Sequence, residues 1–180
     1  MTWVTEYLRT SPFIQHLVSD IANGTVVAVC DGSYFKIHSI GSSAWILFSA
    51  DGSSWIEGGG IVPGPISDLS SYRCELGGLL GIGIGSACLK NLLPARPHFI
   101  LTACDNLEAL RKNNSCSDKG QEFLEKCRFY LTNPRCLEST TLPAITQHAY
   151  DHQDDKRMGT LTIVESLNVH MDKLAKTLAI

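Results

Sequence analysis

TVVAVCDGSY at 25–34, GSSAWILFSA at 41–50 and SSWIEGGGIVPG at 53–64 are the stretches that decide the fold. Each is a short run rich in β-branched and aromatic residues and bounded by glycine, serine or proline, the pattern of a strand. A loop joins the first two, and Asp51-Gly52 between the last two is a strong hairpin signal. Strands joined this closely are most simply antiparallel, since a parallel neighbour needs a long crossover.

Outward from this block the pattern turns helical. FIQHLVSDIANG at 13–24 places Phe13, Leu17, Val18 and Ile21 at helical spacing, with Asn23-Gly24 as a stop. Downstream, the segment from Ser70 to Leu93 has the length of a helix of about 20 residues, with Ser70 or Ser71 as its cap and Pro94 beyond it. PHFILTACD at 97–105 is an apolar run with proline in front, a buried strand. DNLEALRK at 105–112 follows as a short helix capped by Asp105 or Asn106, and a further helix is expected over 118–131. LPAITQHAY at 142–150 alternates as a last strand, and LTIVESLNVHMDKLAKTLA at 161–179 is an amphipathic final helix. The expected organisation is an N-terminal helical extension over 1–24 and one α/β domain over 25–180.

Composition agrees with that organisation. A chain of 180 residues that is 44% hydrophobic buries about 70% of the surface it would expose unfolded, which excludes disorder as the main state. The 15 Lys and Arg against 18 Asp and Glu give a net charge of −3, so no strongly basic surface is implied. The apolar stretch from Leu76 to Leu89 is short of the ~20 residues that a bilayer requires, so no membrane partner is expected. MTWVTEYLRTSPF at the start lacks a secretory pattern, and cytoplasmic or nuclear residence is the expectation. The seven cysteines (30, 74, 88, 104, 116, 127, 136) contain no CxxC pair and are read as reduced, mostly buried thiols.

Four carboxylates stand out, two at strand ends and two on helices expected to pack against the sheet. Asp31 ends the first apolar strand, directly before Gly32-Ser33, Glu75 lies one turn into the long helix, Asp105 ends the fourth strand and Asp172 lies in the last helix. With Asp31 and Asp105 on neighbouring strands and the helices crossing above, all four meet at one sheet edge. Convergent carboxylates are what phosphodiester hydrolysis with two divalent ions needs: oxygen ligands suit Mg2+, with one ion activating water and the other stabilising the leaving oxygen.

In this arrangement the chain resembles the ribonuclease H domain of type I ribonucleases H and retroelement reverse transcriptases. VVAVCDGSY resembles the family's first strand with its catalytic Asp, SSYRCELGGLLGI its helix with the catalytic Glu, and ILTACDN its strand-terminal Asp. ITQHAYDHQDD followed by SLNVHMDKLAK resembles its terminal strand, His loop and Asn-x3-Asp helix, in wording closest to retroelement copies. The resemblance covers roughly 25–178 and implies a ribonuclease H-like α/β fold with a mixed five-stranded sheet, three antiparallel strands then two parallel, and flanking helices.

By the same resemblance Asp31, Glu75, Asp105 and Asp172 are the catalytic and metal-binding acids, holding two Mg2+ ions or Mn2+ in their place. His152 matches the loop His that assists proton transfer or product release, and Gly32, Ser33 and Asn106 are candidates for reading the 2'-hydroxyl that distinguishes RNA. The implied activity is hydrolysis of the RNA strand of an RNA–DNA hybrid, with a reverse-transcriptase domain as a candidate partner. The alternative is a catalytically decayed binding or tethering module. Two departures stand out: the residue before the loop His is usually Gly and here is Asp151, and only Arg111, Lys112, Lys119, Lys126 and Arg128 stand where some relatives carry a basic protrusion.

Two other motifs lead elsewhere. LLGIGIGSACLKNLL with Asp105 some way on imitates a dinucleotide-binding unit, but Ser86 takes the third glycine's place and three strands already precede it, so no nucleotide cofactor is expected. The competing account is that Gly77, Gly78, Gly81, Gly83 and Gly85 let a helix lie close to the sheet or to another helix, at a cost of up to ~1 kcal/mol each relative to Ala. His148 and His152 form an HxxxH without paired cysteines nearby, which does not make a zinc site.

Overall fold

The structure, a computed structural model, describes residues 3–94, 100–106, 109 and 161–180, and the backbone of 144–148. The helices expected over 105–112 and 118–131 and the His152 loop lie outside the described residues, apart from Asp105, Asn106 and Ala109.

Strands β1 (Tyr7–Thr10), β2 (Val26–Phe35), β3 (Ile40–Ser49), β4 (Trp55–Ile61), β5 (Ile100–Cys104) and β6 (Ala144–His148) form one sheet in the order β1-β4-β3-β2-β5-β6. β2, β3 and β4 are antiparallel, whereas β5 runs parallel to β2 and β6 parallel to β5. The five expected strands and their directions are therefore present. A sixth, β1, adds antiparallel to β4 with Tyr7 opposite Gly59 and Thr10 opposite Ile56, so the segment expected to be helical supplies an edge strand before its helix. Asp51-Gly52 makes the β3–β4 turn: Gly52 has φ 75°, and the Asp51 carboxylate accepts from Ser49 Oγ at 2.6 Å and Ser53 N at 2.9 Å.

The strand period of two divides β2 between two layers. Ala28 and Cys30 face the layer of helix α2 (Ser71–Lys90), where Trp45, Leu47, Leu76 and Leu79 complete a core that also takes Leu17 and Ile21 from helix α1 (Ile14–Asn23). Val27 and Val29 face helix α3 (Ile163–Leu178), against Val164, Leu167, Met171 and Ala175. α1 stops at Gly24, whose φ of 71° and N–H to the Ile21 carbonyl form a left-handed cap. Ser70 caps α2 by accepting from Arg73 N at 3.2 Å, and Thr162 with Glu165 forms a reciprocal capping box on α3.

Two of the glycines of α2 are explained by one ring. A Cβ on Gly81 or Gly85 would strike the Trp45 indole, and one on Gly78 would lie 2.7 Å from Cys30 Cβ. The helix thus lies against the sheet with Trp45 filling the space that side chains on α2 would take, while the indole Nε1 donates to the Val4 carbonyl at 2.8 Å. In β4, Gly58 lies against the same indole, while a Cβ on Gly59 would meet the Ser43 carbonyl and Leu178, and one on Gly60 the Trp3 carbonyl.

Candidate active site

The parallel register sets the height of the site. Val29 pairs with Ala103, so Asp31 and Asp105, each two residues further on, stand level across neighbouring strands. The expectation that Asp31 ends a strand needs correction: β2 continues to Phe35 because β3 pairs with it as far as Ile40. What ends before Asp31 is the pairing with β5, which runs only from Val27 to Val29 on this strand.

The first turn of α2 rests on Gly32. A Cβ there would strike the backbone of Cys74 and Glu75, so this glycine lets the helix approach closely enough for Glu75 to reach Asp31. The Gly32 N–H donates to Asp31 Oδ1 at 2.6 Å. Asp31 and Glu75 are 4% and 5% exposed, and their carboxyls are hydrogen-bonded to each other.

Burial and repulsion shape this cluster. Loss of solvent, then the charge of Asp105, push the Asp31 carboxyl up to about 8; Asp172 adds to the rise, and the hydrogen bonds from Glu75 and Gly32 oppose it. Glu75 is raised well above the carboxylate range, first by burial and then by Asp31, Cys104 and Asp105. Asp172 contributes from α3, where Lys176 Nζ holds its Oδ2 at 2.7 Å. The other three expected acids therefore all act on Asp31 at one end of the sheet.

The other candidates are placed differently. Gly32 and Ser33 are half-buried in β2. Asn106 follows β5, and its side-chain oxygen accepts from Ala109 N at 3.0 Å, a capping bond. His152 lies outside the described residues. One turn before Asp172, Asn168 is buried, with an Oδ1 that has no hydrogen-bond partner.

Sequence reasoning missed Cys104. Its Sγ lies 3.5 Å from Glu75 Oε2, and ligand atoms of Glu75, Cys104 and Asp105 lie within 4.8 Å of one another. Cys30, opposite it on β2, is fully buried and hydrogen-bonded to Cys104. Only the apolar character of these residues is visible in their strands. Of the cysteines described, Cys30, Cys74 and Cys104 are buried and Cys88 is exposed, all as free thiols. Glu57 was missed as well: buried in β4, it accepts from Tyr7 Oη at 3.3 Å, pairs with Arg9 Nη1 at 3.5 Å and contacts His170 Nε2 at 2.8 Å.

The residues fit divalent cations. Several buried or half-buried oxygens converge, and burial first, then mutual repulsion, disfavours the charged forms of Asp31 and Glu75, a penalty that a bound cation would offset.

No family model matches the chain, and no curated protein matches it either. Solved structures do. LC11-RNase H1 in complex with an RNA/DNA hybrid aligns with TM-score 0.53 at 9% identity, over 86% of this chain and 96% of that one. LC11-RNase H1 isolated from compost by a metagenomic approach aligns with TM-score 0.54 at 8% identity, over 87% and 96%. At such identities the likeness is one of architecture alone: the chain has the ribonuclease H fold.

Proposed function

We propose that this chain is a ribonuclease H, a hydrolase that cuts the RNA strand of RNA–DNA hybrids with two divalent ions held by Asp31, Glu75, Asp105 and Asp172. The observation that carries the reading is the convergence of these acids, with the Asp31 carboxyl pushed up to about 8 by burial and by its neighbours' charge. The hybrid bound by LC11-RNase H1, on the same fold, supports the choice of substrate.

Bound Mg2+, or Mn2+ in its place, would supply an activated water and stabilise the leaving oxygen. The chain's residues provide the rest. The Gly32 N–H holds the Asp31 carboxylate in orientation from one side, and Glu75 would hold a cation as a carboxylate beside it. Asp105 completes the wall on β5, and Asp172 closes the site from α3. Gly32, Ser33 and Asn106 line the approach on which a 2'-hydroxyl would be read. His152 assists product departure. Retroelement origin and a reverse-transcriptase domain as partner belong to the same proposal, on the strength of the HQDD and LNVHMDKLAK wording, and cytoplasmic or nuclear residence goes with them as an expectation of its own.

The test is a cleavage assay on labelled RNA–DNA hybrid, with RNA and DNA duplexes beside it, in Mg2+ and in Mn2+, and with Asp31→Asn as control. Loss of the RNA strand in the hybrid alone, absent in the variant, supports the proposal. No cleavage of any duplex by folded protein overturns it in favour of a binding or tethering module.

A further inference from the structure

We infer that the acidic pocket also takes a thiophilic divalent ion, Zn2+ or Cd2+, through Cys104 Sγ with one carboxylate oxygen each from Glu75 and Asp105. The inference rests on reading the cluster as a cation site and adds a ligand of different chemistry to it.

The geometry is that of a ligand set. In a tetrahedral zinc site, sulfur at ~2.3 Å and carboxylate oxygen at ~2.0 Å from the metal lie about 3.5 Å from each other. Cys104 Sγ and Glu75 Oε2 are already 3.5 Å apart. The ligand atom of Asp105 lies within 4.8 Å of both, so a modest side-chain rotation brings in a third donor. Cys104 is fully buried and Glu75 nearly so, which fixes two of the three donors by packing rather than leaving them on mobile surface chains.

A second thiol stands behind the first. Cys30, fully buried on the neighbouring strand, is hydrogen-bonded to Cys104. A thiol donor in that position supports a metal-bound thiolate in the way outer partners commonly orient and tune metal ligands. Magnesium gains nothing from sulfur, because it takes oxygen ligands in near-octahedral geometry. Zinc and cadmium favour thiolate, so the pocket discriminates between cations by softness. Coordination replaces the Cys104 S–H bond with a sulfur–metal bond and releases one proton to buffer. No oxidant or reductant takes part.

Zinc or cadmium on these residues would occupy ligands that Mg2+ needs, so the two classes of ion compete. The experiment is a Cd2+ titration of the full chain, reading thiolate-to-cadmium charge-transfer absorption, alone and with excess Mg2+, with Zn2+ affinity measured by calorimetry. The expected result is an absorption step that excess Mg2+ suppresses and that Glu75→Gln weakens. Cys104→Ser should remove that step and lower Zn2+ affinity about tenfold or more, at least the loss that outer-shell substitutions alone produce.

A step that is indifferent to Mg2+ in the unaltered chain overturns the inference without any variant, since the thiolate would then belong to another cysteine. A full step in folded Cys104→Ser overturns it equally. Hybrid cleavage in Mg2+ without the Cys104-dependent step sinks this inference alone, and the step without cleavage sinks the hydrolase reading alone.

Discussion

Asp31 and Glu75, 44 residues apart on β2 and α2, are hydrogen-bonded to each other through carboxyls that are almost wholly out of solvent. Two anions so placed cannot both ionise cheaply, and this makes the site a liability to the fold until a cation arrives.

The first prediction is the pH dependence of the metal-free protein. The folded Asp31 value, about 8, lies above its ordinary 3.8, so the unfolded chain releases this proton first. The stabilising contribution is fully present below about pH 4 and is lost as pH rises through about 8. Thermal melts without metal should show this part of the stability declining over that window, by an amount on the order of a few kcal/mol. Millimolar Mg2+ should raise Tm more at pH 8 than at pH 5. Equal shifts at the two values would count against the coupling.

Asp31→Asn removes the charge with little change of volume. Cleavage should fall by about 10²–10³ or more, in the range that loss of one preorganised electrostatic group produces. Apo stability at pH 8 should rise, because a neutral amide replaces a buried acid. Paired rate and melting measurements separate this outcome from simple misfolding, in which both would fall.

Gly32→Ala places a methyl group against the backbone of Cys74 and Glu75. Overpacking at such a contact costs about 1–3 kcal/mol. Because the strain falls where α2 presents Glu75, kcat should drop further than the stability loss explains. An alanine variant with unchanged melting and turnover would show that the helix can move away freely.

Gly81→Ala gives a signed test of the Trp45 contact. In a helix free of neighbours the change would stabilise by up to ~1 kcal/mol. Against the indole ring the added Cβ has no room, so destabilisation by about 1–3 kcal/mol is expected instead. Denaturant unfolding reads the sign directly.

Glu57→Ala removes the acceptor of Tyr7 and the partner of Arg9 and His170. Hydrogen bonds to a charged group contribute about 1.5–3 kcal/mol. The partners are largely exposed, Arg9 at 60% and His170 at 51%, so the loss should lie at or below the low end. Amide exchange in Tyr7–Thr10 should accelerate more than exchange in β2.

Much of this was legible because the decisive residues sit where local rules act. β2, β3 and β4 declare themselves by apolar runs and by Asp51-Gly52, whose turn chemistry is local. The four acids are visible because each breaks an apolar strand or lies on a helix that packs against the sheet, and parallel pairing then brings Asp31 level with Asp105. β1 was hidden because Tyr-Leu-Arg-Thr is four residues long, mostly exposed, and joined to β4 through its backbone. Cys104 was hidden because a cysteine in an apolar strand looks like core, and only the placement of α2 turns its sulfur towards a carboxylate. The Glu57–His170 contact joins residues 113 apart, and no short-range pattern encodes such a pair.

The Gly58-Gly59-Gly60 run of β4 has a kinetic consequence. Three residues without side chains carry no alternation by which a strand could choose its pairing, and a one-residue slip within such a run exchanges nothing. The register is instead imposed from outside, by Trp45 against Gly58, Leu178 against Gly59 and the Trp3 carbonyl against Gly60. Trp45 stands on the hairpin partner β3, but Trp3 and Leu178 come from far along the sequence in either direction, so the glycine part of β4 should lock late in folding, after α3 and the N-terminal segment have docked. Until then the glycine run is free to shuttle between neighbouring alignments, and the β1–β4 edge should be the last part of the sheet to gain exchange protection.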